Sequence, residues 1–305
     1  MRTRSTASLS PGRTSRPLGP RRGARVPRTP AQVQRILDAL GVTPRRAWGQ
    51  SFLVDPTVAE REAGLLDLPP GNAVVEIGGG LGLLTEALLE RGYVPLTVIE
   101  REPRLAAFLA STFGERIRLL WGDARSVPLP RADAFVGNLP FSVAQPILQR
   151  VLGTDAERGV FLVQREVGER LTAHVGQSGY GRLAIWAALA GDFRLGARIP
   201  RSAFYPSPRV EGVLLTFRRG GNVPRPADPA LFSRLLSIVF SYRRKMLGPT
   251  IRERLSRELG RPGEEVHRAV ERSDWPEDWA RRRPEELSPE AFVRLCDQLS
   301  QSSSP

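Results

Sequence analysis

The feature that most constrains this chain is the run Ala73–Ile77, a short apolar segment that ends directly in Gly78-Gly79-Gly80-Leu81-Gly82 before an apolar helical pattern begins at Leu83. An apolar run of that length closed by glycines reads as a buried strand entering a tight turn, and the following 3.6-residue period reads as a helix. The alternation then repeats. Helices are predicted over Leu83–Arg91, Pro103–Thr112, Pro146–Leu152 and Glu166–His174, with strands over Pro95–Glu100, Ile117–Trp121, Ala134–Val136 and Val160–Gln164. Strands alternating with helices imply an α/β fold with a mostly parallel sheet covered on both faces. Two further helices precede it, one over residues 30–40 that Gly41 stops, and one over Val58–Leu66.

Downstream, Gly220-Gly221-Asn222-Val223-Pro224-Arg225-Pro226 is the clearest linker. Beyond it the period is helical throughout, over Leu231–Leu247, Pro249–Leu259, Glu264–Glu271 and Pro289–Leu299. The expected organisation is therefore a tail over residues 1–30, an α/β domain over 31–219 and a small all-helical domain over 223–305. The tail holds eight Arg, no acid and scarcely a large apolar side chain, too little apolar surface to offset chain entropy. Three readings of it stand open: an arm that attracts RNA, an inert extension, or an organellar transit peptide.

Charge points toward a polyanionic partner, because the net charge is +13 and the pI about 11.2. Forty-four of the 45 basic residues are Arg, a ratio that reflects a GC-rich coding bias more than a choice of guanidinium chemistry. Without the tail the rest carries only +5. One cysteine, Cys296, and two histidines, His174 and His267, exclude by count a disulfide framework, a zinc cluster and a Cys/His nucleophilic pair, and they imply a reducing, cytoplasmic setting. The longest uninterrupted apolar run, Leu183–Ala190, is far short of the ~20 residues a membrane span needs.

The glycine spacing selects the nucleotide. A dinucleotide fingerprint beginning at Gly78 needs glycine at 83, where Leu83 stands. The observed Glu76-x-Gly78-x-Gly80-x-Gly82 form resembles class I S-adenosylmethionine (SAM) methyltransferases, a Rossmann-like fold whose cofactor has no pyrophosphate. Glu100 ends the next strand, 22 residues after Gly78, where a carboxylate can accept ribose hydroxyls. Asp123 follows the third strand, placed for an adenine amino group, and Asn138 follows the fourth. All three fall at carboxyl ends of strands, where open parallel sheets bind ligands.

The tetrad Asn138-Leu139-Pro140-Phe141 resembles the [DNS]-[LIP]-P-[YF] signature of methyltransferases acting on exocyclic amino groups. The chain from about residue 31 resembles the ribosomal RNA small subunit methyltransferase A family. The match extends to Gly49-Gln50-Ser51-Phe52-Leu53, Gln164-Arg165-Glu166-Val167, Ser178-Gly179-Tyr180-Gly181-Arg182-Leu183, Ser202–Val210 and Phe240 with Arg243-Arg244-Lys245.

That resemblance implies an enzyme that dimethylates N6 of two adjacent adenines in a hairpin near the 3′ end of small-subunit rRNA. It further implies a monomer whose partner is the small ribosomal subunit. Carried over, Ser51, Leu53, Gly78, Glu100, Asp123 and Asn138 contact SAM, and Asn138, Leu139, Pro140 and Phe141 hold the target adenine. Phe204 walls the base pocket, and Arg243, Arg244 and Lys245, placed at a helix end, meet RNA phosphates. The family usually has Asn or His in place of Ser51, and bacterial members usually have Tyr in place of Phe141. Two alternatives share these motifs: a large-subunit rRNA adenine dimethylase, and an assembly or transcription factor that binds nucleic acid with little catalysis.

Overall fold

The computed structural model describes residues 26–44, 50–140, 143–221 and 223–301. Its chain opens with α1 (Pro30–Leu40), a two-residue strand β1 (Phe52–Leu53) and α2 (Pro56–Gly64). The expected alternation follows: β2 (Val74–Ile77), α3 (Leu83–Glu90), β3 (Leu96–Glu100), α4 (Pro103–Phe113), β4 (Arg118–Trp121), β5 (Ala134–Asn138), α5 (Ala144–Leu152), β6 (Arg158–Gln164) and α6 (Arg165–Leu171). Strands β4-β3-β2-β5-β6 lie side by side in that order, all parallel.

Strand periodicity divides the core. Val74, Leu96, Val98, Val136 and Leu162 face α2, α3 and α4, while Val75, Ile77, Ile99, Phe135 and Phe161 face α5 and its neighbours. Every residue of β2 and β3 is buried, as strands covered on both faces must be. Because β3 and β4 extend the sheet on one side of β2 and β5 on the other, the order reverses at β2. A crevice follows at the carboxyl ends.

Periodicity missed the far edge of the sheet. There, α7 (Arg182–Ala190) leads into β7 (Gly191–Ile199), then β8 (Phe204–Tyr205) and β9 (Gly212–Arg219). Strand β9 runs antiparallel to β6 and β7 antiparallel to β9, which completes seven strands. Strand β7 escaped notice because Asp192, Arg194 and Arg198 break its apolar pattern and a register shift separates Leu195 from Arg198. Strands β1 and β8 form a separate two-stranded antiparallel sheet, Leu53 opposite Phe204.

The C-terminal region contains α8 (Pro229–Ser241), then α9 (Leu247–Pro249), a π-helical stretch Thr250–Leu255 and α10 (Ser256–Leu259) in direct succession, then α11 (Gly263–Glu271) and α12 (Pro289–Gln301). Phe232, Leu236, Leu255, Trp275, Phe292 and Leu299 build its core. Helix α7 is shared: Ile185 and Leu189 join this core, and Leu183 and Ala187 join the sheet.

Two expectations need correction, and two fall outside the described residues. The ordered chain reaches back past residue 30: Val26 is buried against the sheet core, Arg28 pairs with Glu86 at 2.8 Å and the Thr29 hydroxyl caps α1. Residues 1–25, which hold most of the expected tail, lie outside the described residues, as does Phe141. Finally, α8 stops at Ser241, so Arg243, Arg244 and Lys245 occupy the turn after the helix and not its last turn. Tyr242 at the cap leaves helical geometry (φ −112°, ψ 31°), and beyond it the Arg243 guanidinium donates to Glu285 (2.9 Å) and to the Ser178 carbonyl. Among the described residues, no helix is long and apolar enough to cross a membrane.

Candidate active site

At the carboxyl ends of β2, β3 and β5 lies a cavity of about 410 Å³ whose lining includes Ser51, Leu53, Gly78, Glu100, Asp123, Asn138, Leu139, Pro140 and Phe204. Residues up to 153 positions apart in the chain thus meet in one space. The glycine turn makes this possible. Gly78 and Gly80 have φ of 83° and 55°, a left-handed backbone that side-chain-bearing residues avoid. Across the crevice, a Cβ on Gly137 would stand 2.4 Å from the Ile77 carbonyl oxygen, so only glycine lets the end of β5 approach β2 this closely.

Glu100 is 7% exposed, and the backbone fixes both its oxygens: Gly80 N–H donates to Oε2 at 2.9 Å and Glu102 N–H to Oε1 at 2.8 Å. Burial raises its pKa, and these backbone donors oppose the rise. Behind it, Glu76 is buried, accepts the Thr85 hydroxyl at 2.6 Å and is pushed up to about 8, chiefly by burial and further by the charge of Glu100. Glu62 of α2 extends the series. It is fully buried, and neither of its oxygens meets a donor at hydrogen-bonding geometry among the described residues. Desolvation raises its pKa well above the ordinary range, Glu76 adds to the rise, and the Gly137 amide offsets a little of it.

Sequence reasoning passed over Glu62, although its spacing was visible. It falls on the buried face of α2 with Val58, Ala59 and Ala63.

Asp123 sits at the other end of the cavity and is held by side chains. The Arg125 guanidinium donates to both its oxygens at 2.7–3.1 Å, Arg125 N–H adds a bond at 2.9 Å, and Arg101 approaches at 3.5 Å. The Arg125 hydrogen bonds lower the Asp123 pKa. Arg125 was not foreseen, since a single arginine among 44 carries no signal by spacing.

Between these ends, the Asn138 Nδ2 donates to the Ser51 carbonyl at 3.4 Å. This fixes the amide so that Oδ1 remains as acceptor. Ser51, one of the sequence's departures from the usual family residue, acts on Asn138 through its backbone. Leu139 N–H donates to the Leu162 carbonyl at 3.0 Å, which pins Leu139 to β6, and the Pro140 carbonyl accepts Val143 N–H at 2.9 Å. Phe204 is 3% exposed and packs in the core with one side toward the cavity. Arg243, Arg244 and Lys245 do not line it; Arg243 borders a separate groove with Glu166, Arg170 and Gln177, and Arg244 and Lys245 are exposed.

The sequence profile of the family described as ribosomal RNA adenine dimethylase matches residues 41–262, which span the glycine turn, the tetrad and all of α8 to α10. The chain belongs to the ribosomal RNA adenine dimethylase family. It is 36% identical over 236 residues to ribosomal RNA small subunit methyltransferase A of Thermobifida fusca, covering 72% of this chain and 80% of that one. With the Opitutus terrae protein of the same name it shares 37% over 246 residues, 75% of this chain and 86% of the other. In structure it resembles a dimethyladenosine transferase from Plasmodium falciparum, with a TM-score of 0.67 at 22% identity over 80% of this chain and 95% of that one. That likeness concerns the dimethylase fold, including its mostly parallel sheet.

Proposed function

We propose that this chain transfers methyl groups from SAM to N6 of adenines in small-subunit ribosomal RNA, dimethylating two adjacent adenines near the 3′ end. The observation that carries the reading is Asn138, whose amide is oriented by the Ser51 carbonyl within the cavity that also contains Glu100. The cavity suits SAM because a buried carboxylate with backbone-fixed oxygens, a glycine turn and a rim carboxylate line one space. Glu100 would accept the ribose hydroxyls and Asp123 the adenine amino group, while Ser51, Leu53 and Gly78 would line the rest.

SAM supplies an electrophilic methyl on a sulfonium. An adenine N6 lone pair is delocalised into the ring and is a poor nucleophile. Asn138 Oδ1 and the Leu139 carbonyl accept the two N6 hydrogens, which draws nitrogen toward a pyramidal geometry with its lone pair facing the methyl. SAM held in the cavity would supply the methyl to that nitrogen and leave as the thioether, with the N6 proton passing to solvent. Positioning supplies most of the acceleration. Phe141 offers a face for the flipped base. Arg244 and Lys245, exposed on the turn after α8, would meet phosphates, and the enzyme would act as a cytoplasmic monomer on the small ribosomal subunit.

Incorporation of labelled methyl from SAM into separated small and large subunits tests this reading. The wild type is expected to label small subunits. Asn138→Ala should lose more than tenfold in rate, over ~1.4 kcal/mol of barrier, with SAM binding weakened but measurable. Labelling of large subunits instead, or a variant that keeps more than about a tenth of the rate, would overturn it.

A further inference from the structure

Trp121 is the most exposed large apolar side chain among the described residues, at 66%. Single apolar side chains on a surface are ordinary and need no explanation. Three features set this one apart. It ends edge strand β4 in register with Glu100, and the next four residues, Gly122 to Arg125, line the cavity. Its indole N–H donates to the Arg101 carbonyl at 3.2 Å, which fixes the ring's orientation while most of its surface stays in solvent. The side chains of Arg101 and Arg125, which line the same cavity, are 40% and 45% exposed and each anchored on Asp123, two residues beyond Trp121.

RNA that delivers an adenine to Asn138 must run across this rim or away from it. From β5 to β4 is three strand intervals, about 14 Å at ~4.8 Å each. That distance is roughly four nucleotides at the ~3.4 Å stacked spacing. A pre-oriented tryptophan loses little conformational freedom when a base stacks on it, and every base has a face to offer. The guanidiniums on Asp123 present donors in the planar geometry that suits phosphate.

We propose that Trp121 is a stacking platform for a ribosomal RNA base a few nucleotides from the target adenine. The inference rests on the rRNA reading above and adds to it a contact on the cofactor side of the crevice, three strand intervals from Asn138. Stacking supplies affinity with little sequence preference, so the platform holds the strand while the tetrad selects the base.

The test compares Trp121→Ala and Trp121→Phe with wild type in the full chain. Three quantities are measured: SAM affinity by calorimetry, KM and kcat for methylation of whole small subunits, and affinity for a single-stranded adenine-containing RNA oligonucleotide. Trp121→Ala should raise KM and weaken oligonucleotide binding by about 5- to 150-fold, the range that one base–aromatic stack supports. SAM affinity should stay within twofold and kcat should hold. Trp121→Phe should recover most of the loss.

If Trp121→Ala binds RNA as wild type does, or if SAM affinity falls in parallel, the platform is wrong. Equal loss in both variants would also sink it, because stacking tolerates Phe. A wild-type enzyme that ignores small subunits would instead break the function reading, and the oligonucleotide arm would still decide the role of Trp121.

Discussion

At the inner end of the cavity Glu100 is buried and held by two backbone N–H groups, whereas at the rim Asp123 is more exposed and held by the side chain of Arg125. Burial raises the proton affinity of the inner carboxyls Glu62, Glu76 and Glu100; a guanidinium partner lowers that of Asp123. The difference shows two ways of presenting a carboxylate. Backbone donors come with the fold and stay in place, while an exposed arginine is screened by salt and can be exchanged for another partner.

The largest effect expected from this contrast is on stability. With Glu76 at about 8 in the folded chain and near its ordinary 4.5 when unfolded, the native state binds more protons between those values. Stability should therefore be highest below about pH 4.5 as far as this group is concerned, fall as pH rises to about 8, and level off above. The loss is on the order of a few kcal/mol. Urea unfolding from pH 5 to 9 should show this decline, and Glu76→Gln should make it shallower, with Glu62 and Glu100 supplying what remains; an equally steep decline in the variant would assign it elsewhere. Asp123 has the opposite sign, its contribution being present at neutral pH and lost on acidification through its lowered pKa.

A smaller effect concerns cofactor affinity at the inner end. Hydrogen bonds to a charged group contribute about 1.5–3 kcal/mol each. Glu100→Ala should therefore weaken SAM binding at least tenfold, with little dependence on salt because the site is buried. A loss of less than tenfold by calorimetry would contradict the ribose assignment.

The smallest effect belongs to the rim. Asp123→Asn should reduce SAM affinity by only about two- to fivefold, and the difference should shrink as ionic strength rises and the ~10 Å screening length shortens. A salt-independent loss as large as that of Glu100→Ala would show that the two ends work alike and would dissolve the comparison.

The sequence by itself determined the parallel half of the sheet and the places where Glu100, Asp123 and Asn138 stand. These follow from local signals: apolar runs of strand length, glycines that end them, and acidic or amide residues at the carboxyl ends. A period-2 or 3.6 pattern is written in neighbouring residues and survives wherever both faces of an element have a fixed environment. Strand β7 was hidden because it is half polar and bulged, whereas β9 carried an apolar run, Val213 to Leu215, that lacked the helix-alternation context of the other strands.

Only the tertiary structure decided which side chains meet. Glu62 was placed behind Glu76, Arg125 across Asp123, Asn138 against the Ser51 carbonyl 87 residues away, and Arg243 on Glu285 and Ser178 instead of in a helix end. The exposure of Trp121 belongs with these, since a strand residue is bare or covered according to whether a distant element packs on its face of the sheet. Such contacts join positions far apart in the chain, and their energies depend on burial and on the partner reached. Spacing along the sequence encodes neither.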